Sequence, residues 1–149
     1  MPYEPYSPTQ KQREGHFVLV WLGAFISVMM LILMALGVSV KVEGFLALLA
    51  GTYMITFTVW HRYDDYFKDC AIQGARWTAV VVGIWLVIRA LVSIFAMSRD
   101  FGAMVAGGEV EDISAATLLP FMDSAMLLAA LCALAFHAGF LFTQFRGRS

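Results

Sequence analysis

The sequence predicts an all-α fold: a four-helix transmembrane bundle, up-down-up-down, with N and C termini cytoplasmic. Three observations carry this expectation. The 149-residue chain is 60% hydrophobic and only 14% charged, whereas an ordinary soluble domain is about 45–50% apolar and about 25% charged. Mean hydropathy is +0.75. Four apolar stretches recur along the chain, the first of them 21 uncharged residues long and enough for a hydrocarbon core of about 30 Å. Lysines and arginines collect on alternate connections, the asymmetry that orients membrane helices.

Residues 1–15 form a solvated tail in which Pro2, Pro5 and Pro8 oppose helix and Tyr3 and Tyr6 suit the headgroup region. Phe17 to Gly37 carries no charge over its whole length and is the first span. No small-residue cleavage site follows it, so it reads as a retained helix and not a signal peptide. Met29, Met30 and Met34 are adaptable packing residues within it. Residues 38–43 suffice only for a turn, so the second span (44–60) must return antiparallel. Thr52, Tyr53, Thr56 and Thr58 make it the most hydroxyl-rich of the four, with groups able to bond across helices or back along their own.

The connection 61–76, HRYDDYFKDCAIQGAR, contains no proline and places Tyr63, Phe67 and Cys70 at i, i+4 and i+7. It is expected to continue the second helix out of the membrane to about residue 73 and to break near Gly74. The third span covers 77–97. An acidic, glycine-loosened connection (98–117) follows, and then the fourth span (118–142), with Pro120 in its first turn where a missing N–H costs little. The spans make one domain, 16–145, closed by a basic tail, 146–149.

With both ends inside, Lys11, Arg13, Arg62, Lys68, Arg76, Arg146 and Arg148 lie on the cytoplasmic side, against Lys41 and Arg99 outside. That distribution suits a multi-pass protein of the bacterial inner membrane. A net charge of −1 offers no basic footprint for nucleic acid. Cys70 and Cys132 sit on different segments without a CxxC pattern and read as reduced thiols.

Arg89 is a full charge near the middle of the third span. A cation there costs roughly 2.5–3.5 kcal/mol on insertion scales, so it calls for a partner. Asp123, the carboxylate of the fourth span, lies about 8 Å below the outer surface and Arg89 about 12 Å below it, a difference an arginine stem can cover. An Arg89–Asp123 pair is expected in the outer half, helped by a polar network of Tyr53, Ser27, Ser93 and Thr56. His16, His61 and His137 all map to the cytoplasmic third. His61 and His137 are the pair a haem or metal would use.

Asp64, Asp65 and Asp69 form an acidic elbow. His61, Asp65 and Asp69 share one face of the expected extension, with Arg62 and Lys68 placed to neutralise the carboxylates. The chain contains no nucleophile–base grouping, HExxH or phosphate-cradling glycine loop, so no catalytic residue and no metal site is assigned.

Small residues recur four apart: Gly23 and Ser27, Ala47 and Gly51, Ala125 through Ala129 to Ala133, and Ala135 and Gly139. Such spacing lets helix backbones approach in lipid. The leading expectation is a non-enzymatic accessory or scaffolding subunit whose partners are the bilayer and other membrane subunits or copies of itself. The runner-up is an ion- or proton-coupled transporter or channel using Arg89 and Asp123. The third is a haem- or quinone-associated anchor, haem being the one cofactor the residues suggest.

Overall fold

The structure is a computed structural model that describes residues 9–37, 40–59, 63–107 and 124–147, without the side chains of 40–43 and 103. The described residues form four helices: α1 (Gln10–Ala35), α2 (Val40–Val59), α3 (Asp65–Val105) and α4 (Ala125–Arg146). α1, α3 and α4 are long and apolar enough to cross a membrane. The apolar part of α2, Gly44–Val59, is shorter.

Local chemistry explains most of the helix ends. Gln12 reaches back so that its side-chain oxygen accepts the Thr9 N–H at 2.9 Å, half of a capping box. α1 stops at Gly37 and α3 at Gly107, both with positive φ (66° and 70°), a conformation that suits residues without a Cβ. α3 begins where the Asp64 carboxylate accepts the Phe67 N–H at 2.8 Å. Ser124 caps α4 in the same way through the Leu127 N–H.

The charged connection departs from the sequence expectation. Residues 65–76 do not extend the second helix and the chain does not break near Gly74. Tyr63 and Asp64 are non-helical, and α3 runs unbroken from Asp65 to Val105. Gly74 is a packing residue: a Cβ there would lie 2.5 Å from the Phe136 carbonyl oxygen. The third helix also continues past 97 into the stretch expected to be a loop. The described part of the fourth begins at Ser124, so Pro120 lies outside the described residues.

α4 is the central element, in contact with the other three helices. Against α3 it pairs Gln144 with Tyr66, Phe136 with Gly74, and Cys132 with Thr78. The Thr78 hydroxyl lies 3.1 Å from its own helix's Gly74 carbonyl and 3.3 Å from Cys132 on α4, so one proton is shared between helix and neighbour. Gly139 approaches Trp77, Gln73 and Gly74 just as closely. Two apolar clusters fill the bundle. One joins Val20, Phe57, Tyr63, Phe67, Cys70, Ala71, Phe136 and Phe140. The other is built from Ile26, Met30, Ala50, Ala130 and Ala133.

At 41 residues, α3 is about 60 Å long, more than the 40–45 Å of a bilayer with its headgroups. Its packing ends at Trp85. Beyond that point no described residue of α3 is buried.

Candidate functional site

The polar centre of the bundle is the imidazole of His137 on α4, fully buried against α1. Its Nδ1 lies 2.8 Å from the Ala133 carbonyl oxygen and 3.2 Å from Ser27 Oγ. The Ser27 hydroxyl donates its single proton to the Gly23 carbonyl at 2.8 Å. Both neighbours of Nδ1 can therefore only accept, so Nδ1 carries the proton and Nε2 holds the lone pair.

Nε2 is buried and has no hydrogen-bond partner. It sits in the space a side chain at position 23 would take: a Cβ on Gly23 would fall 2.2 Å from it. The Gly23–Ser27 step thus does more than permit close approach. The glycine makes room for the ring, and the serine reads the ring's N–H and passes its own proton to the glycine carbonyl. Interhelical bonds of this kind are worth about 0.6–2 kcal/mol each in lipid. Outside the ring lies an apolar groove of about 390 Å³ between α1 and α4, walled by Trp21, Phe25, Val28, Leu134 and Leu141.

The other candidate residues are dispersed. Ser27 belongs to the His137 cluster. Tyr53 stacks on Phe57, and the Ser93 hydroxyl donates to the Arg89 carbonyl on its own helix at 3.0 Å. Thr56 is half-buried on α2. Arg89 is exposed on α3, four residues past the point where packing stops. Asp123 lies outside the described residues, so the expected Arg89–Asp123 pair does too. His61, the expected partner of His137, is also outside them. Iron or another metal on His137 would need access at Nε2, where the Gly23 backbone stands. Among the described residues no three His, Cys, Asp or Glu side chains gather as a metal site.

The acidic elbow divides by role. Asp64 is the cap of α3, and it also meets Arg13 of α1 at 2.7 Å. Asp65 meets Lys68 at 3.2 Å within α3, and Asp69 is exposed farther along. Behind the Arg13–Asp64 pair the rings of His16, Tyr63 and Phe67 interlock, with His16 edge-on to Tyr63 at 4.7 Å and Tyr63 stacked on Phe67 at 4.4 Å. Burial pushes the Tyr63 phenol above its ordinary pKa. Cys70 and Cys132 are both free thiols.

Sequence reasoning missed two partnerships, Ser27 with His137 and Arg13 with Asp64. A signal for the first was present: a histidine interrupts the otherwise apolar run 125–142 of the last helix, and a small polar residue, Ser27, follows Gly23 by four in the first. Of the small-residue steps, Gly51 meets no neighbour within 4 Å, whereas Gly23 and Gly139 sit at close approaches, and so does Gly74, which the sequence offered as a breaker. No protein-family model, curated protein or solved structure matches this chain.

Proposed function

We propose that the chain is a non-enzymatic accessory or scaffolding subunit of a membrane assembly. In this reading the bundle inserts up-down-up-down into a bacterial inner membrane with both termini cytoplasmic, and the outer half of α3 is covered by another membrane subunit or a second copy. The carrying observation is the apolar surface past Trp85. Leu86, Val87, Leu91, Ile94, Phe95 and Met97 project from α3 with no buried residue among them. They flank Arg89, a residue type that in membranes faces protein or a water-filled cavity. The excess of lysine and arginine at the end that holds Lys11, Arg13, Lys68, Arg76 and Arg146 supports the orientation.

The test is a photocrosslinking amino acid placed at Leu91 or Phe95 in native membranes, with Phe25 on the exposed face of α1 as reference. A discrete protein adduct at 91 and 95, identified as a membrane subunit or a second copy and absent at 25, is expected. Lipid adducts alone at all three positions would remove the accessory reading.

A further inference from the structure

α3 and the rest of the bundle are out of step. Gly23 and Gly74 both pack against the same turn of α4, at His137 and Phe136 respectively, and so stand at one level. Seen from that level, the last charge of α1, Glu14, lies nine residues back, but the last charge of α3 before its own apolar run, Arg76, lies two residues forward. The polar start of α3 is therefore carried roughly 15 Å along the apolar body of α1 and α4, at 1.5 Å per residue.

A cleft of about 410 Å³ opens there, lined by Asp69, Gln73 and Arg76 of α3 and by Phe142, Thr143 and Arg146 of α4, with Ile72 at its edge. Arg76 turns back along α3 and donates to the Gln73 side-chain oxygen at 3.4 Å, bringing its guanidinium into the polar part of the cleft. Ile72 and Phe142 are exposed on the walls, at 48% and 50%.

From this juxtaposition of two guanidiniums and an amide with apolar walls, sunk beside the membrane-spanning body, we infer that the cleft binds a phosphate group, and that a phospholipid headgroup supplies it. Guanidinium forks suit phosphate oxygens. The Thr143 hydroxyl spends its one proton on the Gly139 carbonyl at 3.0 Å, so it lines the cleft and the phosphate is left to the guanidiniums and the Gln73 amide. Ile72 and Phe142 give the first acyl carbons an apolar path where a free anion would find none. Asp69 opposes the phosphate and sets the sign of one variant below.

The inference rests on the membrane reading, so the experiment separates the two. Alkaline carbonate extraction of membranes that carry the full chain comes first, and release of the chain by carbonate would sink the membrane reading and the lipid site together. The retained, purified protein is then titrated in detergent micelles with phosphatidylglycerol, and inorganic phosphate is added as competitor. Arg76→Gln and Arg146→Gln are each expected to weaken lipid binding about tenfold or more, as the loss of a charge-assisted bond implies. Lysine at either position is expected to restore part of it, and Asp69→Asn is expected to tighten it. Asp69 is exposed and asparagine keeps its shape, so Asp69→Asn also keeps the test decisive if an arginine variant fails to fold. Unchanged binding in the arginine variants, or weaker binding in Asp69→Asn, would overturn the site. Displacement of lipid by millimolar inorganic phosphate would overturn the assignment of a lipid source.

Discussion

The two halves of α3 share a helix and an apolar character but not a fate. From Asp65 to Trp85 one face is drawn against α4 and the aromatic cluster, with Phe67, Cys70, Ala71 and Gly74 buried. From Leu86 to Val105 nothing described is buried. Hydrophobicity cannot account for the contrast, because both halves are rich in it. In lipid an apolar side chain gains little by leaving the acyl chains for a neighbouring helix, so packing follows shape. The first half has glycines where α4 comes close and rings that interlock at the polar end. The second half offers small residues too, at Ala90, Ser93 and Ala96, but no described residue there is buried.

Truncating one large apolar side chain in each half is expected to give the widest contrast. Phe67, 2% exposed, touches Tyr63, Phe57 and Phe140. Phe67→Ala should cost about 3–5 kcal/mol. Leu91 is 60% exposed, and Leu91→Ala should change stability by less than about 0.5 kcal/mol. Unfolding by denaturant in micelles, followed by tryptophan fluorescence, measures both. Equal losses would mean that the isolated bundle buries the outer half after all.

The glycines sharpen the same contrast by a change of sign. Gly74→Ala pushes a Cβ to 2.5 Å from a backbone oxygen and should destabilise by roughly 1–3 kcal/mol as the helices separate. Gly102, in the other half of the same helix, has nothing within 4 Å, so Gly102→Ala should be neutral or gain up to about 1 kcal/mol from reduced chain entropy. Thermal unfolding of the two variants side by side reads the difference.

The smallest effect belongs to the polar end. Asp64→Ala loses both the α3 cap and the Arg13 contact and should cost about 1 kcal/mol. Arg13→Ala loses only an ion pair whose arginine is 54% exposed and should cost a few tenths of that, less still at high salt. If Arg13→Ala proved the more damaging of the two, the pair and not the cap would be holding α1 to α3.

The apolar helices and their order along the chain were legible in the residues, because hydropathy is a local property and bilayer thickness sets the length. The start of α3 was misplaced because Gly74 was read as a breaker. In a helix already held by its neighbours, a missing Cβ serves approach at little conformational cost, and Asp64, a residue type that favours helix caps, was the better boundary signal.

The composition by itself determined that this chain is helical and apolar enough for a membrane, since every backbone group inside hydrocarbon must be satisfied within its own segment. Which helix α4 leans on, which ring fills the hollow at Gly23 and how far α3 slides past its neighbours were decided only by the tertiary structure. Those outcomes depend on the relative rotation and offset of whole helices, and residues far apart in the chain carry no local mark of the partner they will meet.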